Sequence, residues 1–198
     1  MPIFRYFSEQ RFADSFITDG QMRFGSLASY RAYDDGGVRG DPKDGALHYA
    51  PPDGLEITMV KDGRKLTGMS FTTAAENMFV YCVSNEPSDR CAKELGSFCV
   101  EISDPEEIVA RLKARACRTS KLDYAQVSFG PVEYRPLDAI PGVEWAFPER
   151  VVLMKPPEYD WQNESRFVLP LKPHAQSADS FVKIEIGSLE HLAKRYRC

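Results

Sequence analysis

Apolar and polar positions predict three regular elements at the start of the chain. Residues 3–7 form an aromatic, strand-like run. Residues 8–19 carry apolar side chains every three to four positions, which predicts a helix that ends at Gly20. Residues 21–25 alternate between polar and apolar side chains and predict a second strand.

Residues 31–54 interrupt this regularity and predict a long acidic, glycine-rich loop. The stretch 33–45 alone holds four acids, four glycines and a proline. Such segments in small domains are functional or mobile. We expect a solvated, mobile loop here. The alternative is a site for a hard cation on its carboxylates, Asp34, Asp35, Asp41 and Asp44.

The rest of the chain is predicted to be mainly strands. Residues 77–84 are almost continuously apolar, which is typical of a central strand buried on both faces. Asp62-Gly63 predicts a hairpin turn between two strands. A helix is expected after residues 103–104, where either Ser103 or Asp104 can cap it. The remaining predicted elements are strands at 56–60, 66–72, 98–102, 125–134, 151–155, 165–169 and 181–186, and a closing helix at 189–197.

These elements predict one α+β domain over residues 1–198, with a mostly antiparallel sheet and about three helices. Twenty-nine acidic against 25 basic residues give a net charge of −4, which argues against broad nucleic-acid binding. No apolar run approaches the 18 or so residues of a membrane span, and no export signal is evident. We therefore expect no membrane association, a cytoplasmic location and reduced cysteines, with Cys82 and Cys99 in the core.

Compact catalytic motifs for phosphate loops, dinucleotide folds and metalloproteases are absent from the sequence, and no metal-ligand set is predicted. Three features remain. They are the entry segment from Phe4 to Leu27, the acidic loop, and the segment Tyr159 to Phe167, in which Trp161 and polar residues lead into an apolar strand.

Together these features resemble a bacterial, defence-associated family of unknown function. Its members share an aromatic opening strand, an acidic loop, a central "CFS" strand and a final W-x-x-E-x-R element. The counterparts are Arg23–Ser26, Asp34-Asp35 with Asp41-Pro42, Cys82–Ser84 and Trp161–Arg166. No Phe-Asn precedes Asp41-Pro42, so the loop departs from the family pattern.

The chain also resembles ADP-ribosyltransferases, through an arginine on the first strand, Ser70-Phe71-Thr72 and Gln162-Asn163-Glu164. The resemblance implies a split antiparallel sheet, NAD as substrate and transfer of ADP-ribose to an unknown protein or nucleic acid. It also implies a toxin, effector or phage-defence role. The essential carboxylate is then Glu164, with Gln162 on the acceptor side. The implied NAD-binding residues are Arg5 or Arg23 for the phosphates, Tyr6 or Tyr30 for nicotinamide or ribose, Ser70, and Trp161.

Simpler interpretations of the same residues stay open. Trp161 can fill the core, Arg5 can stack on aromatic rings, and Glu164 can pair with Arg166 on a strand face. A non-enzymatic module that binds a phage or host component through the loop, and a metal-dependent hydrolase that uses its carboxylates, are the other functional alternatives. The transferase hypothesis predicts that Arg5, Ser70 and Glu164 share one cleft.

Overall fold

The computed structural model describes residues 1–33, 40–136, 140, 142–175 and 179–197. Its described part contains five α-helices and three short 3₁₀ turns, of which α1, α3 and α4 are the longer α-helices. The α-helices are α1 (Gln10–Asp19), α2 (Leu27–Ala32), α3 (Asp89–Leu95), α4 (Pro105–Ala116) and α5 (Pro148–Val151); the 3₁₀ turns are Tyr124–Gln126, Val143–Ala146 and Pro157–Gln162.

Fourteen strands make up the rest of the regular structure. They are β1 (Ile3–Phe7), β2 (Gln21–Ser26), β3 (Ala46–Tyr49), β4 (Leu55–Thr58), β5 (Lys65–Met69), β6 (Phe71–Ala74), β7 (Met78–Ser84), β8 (Phe98–Ile102), β9 (Ser128–Pro131), β10 (Glu133–Tyr134), β11 (Met154–Lys155), β12 (Glu164–Pro170), β13 (Phe181–Glu185) and β14 (Ala193–Tyr196).

Eight strands form the main sheet, in the order β13-β2-β7-β1-β8-β14, with β12 also paired to β7 and β9 paired to β12. Every pairing within this sheet is antiparallel. The predicted α+β class with a mostly antiparallel sheet is therefore confirmed. Three two-stranded units, β3–β6, β4–β5 and the parallel pair β10–β11, lie outside the main sheet.

The sheet forks at β7. Strand β12 pairs with β7 along its whole length, from Glu164 opposite Ser84 to Pro170 opposite Met78. The other edge of β7 is shared by two strands: β2 pairs with Val80, and β1 pairs with Ser84. Between these two contacts, no strand of the described residues pairs with the edge of β7, and a gap opens between β1 and β2.

Helices α1 and α4 cover one face of the sheet and form the main core with it. Phe16 of α1 and Leu112 of α4 are fully buried against Phe24, Tyr81 and Phe167 of the strands. The opposite face carries smaller apolar clusters, one around Leu27, Val80 and Val168 and another around Phe4, Tyr6, Cys91 and Cys99. Polar side chains of β7 and β12 lie between these two clusters.

Several predicted elements are wrong. Residues 189–197 contain β14, which pairs with β8, and no helix. The predicted loop 31–54 holds the end of α2 and the whole of β3. Asp41 and Asp44 in that stretch are each only 2% exposed, so the prediction of a solvated loop is wrong for these two carboxylates, while Pro42 and Lys43 between them are exposed. Residues 34–39, including Asp34 and Asp35, lie outside the described residues.

Among the described residues, no helix combines the length and the apolar character needed to cross a membrane.

Candidate functional site

Arg5 fills the gap at the fork of the sheet. Its Nη1 donates a hydrogen bond to the backbone carbonyl of Cys82, at 2.5 Å, midway between the two strand contacts of β7. The guanidinium carbon lies 4.4 Å from the centre of the Tyr81 ring and 5.7 Å from that of Phe7. Arg5 thus satisfies a sheet-edge carbonyl that no described strand reaches, while its buried Nε has no hydrogen-bond partner among the described residues.

Next to the fork lies a buried ion-pair network centred on Arg166 of β12. Its Nε donates to Glu164 Oε1 at 2.6 Å, and its two terminal nitrogens donate to the two carboxylate oxygens of Asp44 at 2.8 and 3.1 Å. Nη1 also donates to the carbonyl of Val152 at 2.6 Å. Arg166 is completely buried, and both carboxylates are at most 3% exposed. The pairing of Glu164 with Arg166 that the sequence left open is therefore present, but in the interior.

Lys155 holds the other side of Glu164. Its ammonium donates to Glu164 Oε2 and to Gln162 Oε1, both at 2.7 Å. The intervening Asn163 has left-handed backbone angles (φ 41°, ψ 56°) and ends the 3₁₀ turn before β12. This turn directs Gln162 and Glu164 to the same ammonium group, so both side chains face one point at the start of β12.

A small pocket of about 30 Å³ lies where these groups meet. It is large enough for a water molecule. Of the charged residues, Arg5 and Glu164 line it, and Lys155 and Arg166 stand behind Glu164 as its two ion-pair partners. Arg5 forms no ion pair with a described carboxylate. The pocket is lined by Phe4, Arg5, Tyr6, Cys82, Val83, Ser84, Leu95, Gln162 and Glu164.

The surrounding charges determine the protonation of the pocket. Burial alone raises the pKa of Glu164, but the positive charges of Arg166 and Lys155 outweigh it and hold that pKa at about 2. Glu164 is therefore an anion at neutral pH. Burial and the negative charge of Glu164 raise the pKa of the Cys82 thiol to about 12. Cys82 is consequently a neutral thiol that interacts with the carboxylate.

Two tyrosines beside the network are also kept neutral. Burial raises the pKa of Tyr81, which stands against Arg5, to about 12. Burial and then the charge of Glu164 raise the pKa of Tyr134, whose hydroxyl oxygen accepts the backbone N–H of Glu164 at 2.8 Å. The two phenols can thus serve as neutral hydrogen-bonding groups that enclose the network. The charge of the site resides on its arginine, lysine and carboxylate groups.

Four of the eight site residues predicted from the sequence line this pocket: Arg5, Tyr6, Gln162 and Glu164. Tyr6 also accepts the backbone N–H of Ser88 through its hydroxyl, at 2.8 Å. Tyr30 of α2 stands nearby but does not line the pocket: burial raises its pKa, and Cys82, Arg5 and Glu164 act on it electrostatically.

The other three predicted residues lie elsewhere. Arg23 is exposed on β2 and stacks on Phe181, with 4.1 Å from its guanidinium carbon to the ring centre. Ser70 is exposed between β5 and β6, outside the main sheet, and does not line the pocket. Trp161 packs in the cluster of Phe4 and Tyr6. The guanidinium carbon of Arg90 lies over its ring, 4.2 Å from the ring centre. The single cleft expected for Arg5, Ser70 and Glu164 therefore holds only Arg5 and Glu164.

Several members of the site are not predicted by the sequence pattern. It places Asp44 in a loop and Lys155 at the end of an ordinary strand. Ser84 is marked in the sequence only as part of the Cys82–Ser84 counterpart of the "CFS" strand. In the structure its hydroxyl donates to the backbone carbonyl of Gln162 at 2.9 Å. A charged residue directly after the apolar run 151–154 is the one available signal for Lys155. No local signal marks Asp44, because its partner Arg166 is 122 positions away.

The carboxylates of residues 40–45 do not form the hard-cation site that the sequence left as an alternative. Both oxygens of Asp44 accept from Arg166, and Asp41 Oδ1 accepts the backbone N–H of Lys43 at 2.8 Å. Burial raises the pKa of Asp41, whose Oδ2 has no hydrogen-bond partner. Within the described ranges, no group of three or more His, Cys, Asp and Glu is placed to hold a metal ion.

Comparison with known proteins gives no further guide to this site, since no family model, curated protein or solved structure matches the chain.

Proposed function

We propose that the chain is an NAD-dependent, ADP-ribosyltransferase-like enzyme whose site is the fork of the sheet. The observation that carries the proposal is the shared pocket of Arg5, Gln162 and Glu164. Arg5 is separated from the other two by 157 or more positions in the sequence, and the transferase resemblance assigns each of them to the same NAD site. The toxin, effector or phage-defence role and the cytoplasmic location belong to this proposal.

The charges around the pocket support binding of an anionic substrate. Arg5 is a cation without a described carboxylate partner, and its Nε is an unused buried donor. Guanidinium groups bind phosphate oxygens in a bidentate manner. In this proposal Arg5 holds the pyrophosphate of NAD, and Tyr6 packs against nicotinamide or ribose.

Glu164 supports the chemical step because it is ionised and fixed. In the reaction, the bond between ribose C1′ and the nicotinamide nitrogen breaks, and its electron pair leaves with neutral nicotinamide. The acceptor nucleophile forms the new bond to C1′ and releases its proton to solvent. A preorganised carboxylate stabilises the positive charge that develops on the ribose. Arg166 and Lys155 are positioning residues, since each holds one oxygen of that carboxylate.

The proposal also sets a requirement for the fork. A pocket of about 30 Å³ is too small for nicotinamide. Binding of NAD must therefore widen the gap between β1 and β2, where β7 is held by the Arg5 side chain instead of a strand. We expect NAD to shift the melting temperature of the protein even without an acceptor.

The decisive experiment measures nicotinamide release from NAD, alone and with cellular protein or nucleic acid as acceptor. Glu164→Gln keeps the shape of the side chain, and turnover should fall by about 10²–10³-fold while NAD affinity changes little. Because Glu164 is buried, the variant also loses stability. The matched control is Asp44→Asn, which weakens the same network without altering the pocket lining. Both variants are assayed at a temperature where circular dichroism shows them folded.

Loss of turnover in Glu164→Gln but not in Asp44→Asn supports a catalytic Glu164. Equal losses make Glu164 a structural residue. Absence of nicotinamide release and of any thermal shift with NAD removes the transferase proposal.

A second candidate, a non-enzymatic interaction module, is favoured by the β4–β5 hairpin. Ile57, Leu66 and Met69 are each at least 39% exposed on it, and no other strand in the described part of the chain pairs with the hairpin. Isolated two-stranded hairpins are marginally stable in water, so an uncovered apolar face suggests a protein partner. In this case Ile57→Ser with Leu66→Ser abolishes binding of that partner, whereas Glu164→Gln leaves it intact.

A further inference from the structure

A second concave surface lies at the far end of β12. It is a groove of about 550 Å³ lined by Ser120, Lys121, Asp123, Lys172, Pro173, His174 and Ala175. The backbone N–H of Lys172 donates to the carbonyl of Lys121 at 2.9 Å, and Leu122 bridges to Leu171. Two chain segments are thus joined at the groove. At about 3.3 Å per residue, the length of β12 separates the groove from the fork by roughly 20 Å.

The chain segment that leads into this groove is rich in basic residues. Between residues 108 and 122 the chain has five basic residues and no acidic one, although its net charge is −4. Arg118, Lys121 and Lys172 are exposed and form no ion pair with any residue that the structure describes. The acid on the groove wall, Asp123, accepts the backbone N–H of Ala125 through Oδ1.

The helix dipole explains only part of this pattern. Basic residues near a helix C-terminus are stabilised by the dipole, which accounts for Lys113 and Arg115 at the end of α4. Lys121 and Lys172 lie beyond the helix, on adjacent segments. Like charges brought together there repel each other, and an external anion relieves that repulsion.

We propose that this basic groove binds a single nucleic-acid strand through its phosphates. The three exposed cations belong to two chain segments, Arg118 and Lys121 to one and Lys172 to the segment joined to it, which suits a polymer with a charge every 3.4 Å or so per strand. Tyr124, which is 51% exposed, follows the groove residue Asp123. An exposed aromatic ring beside a basic groove is the usual platform for stacking a base. The proposal does not depend on the NAD reaction.

The test is fluorescence anisotropy of a labelled single-stranded 12-mer, titrated with the full chain at 50 and 200 mM salt. Three phosphate contacts on a single strand predict affinity about 20-fold weaker at the higher salt. Lys121→Ser with Lys172→Ser should weaken binding at 50 mM salt and remove about two thirds of the salt dependence. Tyr124→Ser should weaken binding without changing the salt dependence.

The control variant, Lys61→Ser with Lys183→Ser, loses two lysines elsewhere and has the same net charge as the groove variant. Wild-type affinity in this control supports the groove as the binding site. Equal weakening in both double variants overturns the proposal, as does absence of binding at 50 mM salt. Displacement of the strand by poly-glutamate of equal charge, at equal concentration, also overturns it and indicates an acidic protein as the partner.

Discussion

Arg166 and Asp44, 122 positions apart, form a bidentate ion pair in the interior of the protein. The pair ties the segment before β3 to the central strand β12. Arg31 strengthens the connection by donating from Nη1 to the backbone carbonyl of Asp44 at 2.9 Å. Asp44 and its neighbours in residues 40–45 are thereby held next to Glu164, the residue to which we assign the chemistry.

We expect Asp44→Asn to lower the free energy of unfolding by about 3–5 kcal/mol, because it leaves the buried charge of Arg166 without one of its two carboxylates. Urea denaturation followed by circular dichroism measures the change. The control is Asp62→Asn, which removes an ion pair with Arg64 whose two side chains are 38% and 78% exposed. Such a surface pair contributes about 1 kcal/mol at most. Similar losses in the two variants would contradict an energetically important network.

The lowered pKa of Glu164 leads us to expect that the folded protein loses stability in acid. Its pKa is about 2 in the folded protein, against 4.5 for the free group. A lowered pKa stabilises the fold at pH values above 4.5, and this contribution disappears as the pH falls toward 2. Its size is roughly 3 kcal/mol. Unfolding free energies measured between pH 7 and pH 3 should therefore fall more steeply in the wild type than in Glu164→Gln, and parallel curves would refute this.

The main elements around the site could be predicted from the sequence, because each has a strong local signal. The continuous apolar run at 77–84 and the strand at 165–169 correspond to β7 and β12, which pair side by side. The predicted closing helix is wrong because the apolar residues Leu189, Leu192 and Ala193 mimic helical spacing. The segment forms strand β14 instead, because it pairs with β8, with Ala193 opposite Ile102.

Much of the site itself could not be predicted, since it depends on long-range contacts. Resemblance to a family pattern points to Arg5 and Glu164, and they do line the same pocket. Ser70 matches the same pattern, but it is exposed and lies outside this pocket. Asp44 and Lys155 have partners in β12 that no local pattern reveals. Glycine and acid content predicts a loop but gives no sign that its last carboxylate is buried.

A side chain at position 25 is expected to disturb the packing of Tyr30 next to the site. A Cβ atom at this position would lie 2.6 Å from Cε2 of Tyr30, so alanine must displace the ring. We expect Gly25→Ala to destabilise the protein by about 1–3 kcal/mol. Gly130→Ala is the matched control, because its Cβ would meet only the flexible end of Leu153, at 3.2 Å. In a Tyr30→Leu background the effect of Gly25→Ala should shrink, and an unchanged effect would rule out this contact as the cause.

Cys82 should be the less reactive of two thiols that differ in environment. With a pKa of about 12, only about one Cys82 in ten thousand is a thiolate at pH 8, and the thiolate is the form that reacts. Cys117 is exposed at the end of α4 and offers an internal standard. Iodoacetamide treatment of the native protein, followed by peptide mass spectrometry, should label Cys117 and spare Cys82, whereas in urea both react. Glu164→Gln removes the adjacent negative charge and should speed the labelling of Cys82 relative to Cys117, provided that the variant is folded. Labelling of native Cys82 as fast as Cys117 would show that Cys82 is not a half-buried neutral thiol beside an ionised Glu164.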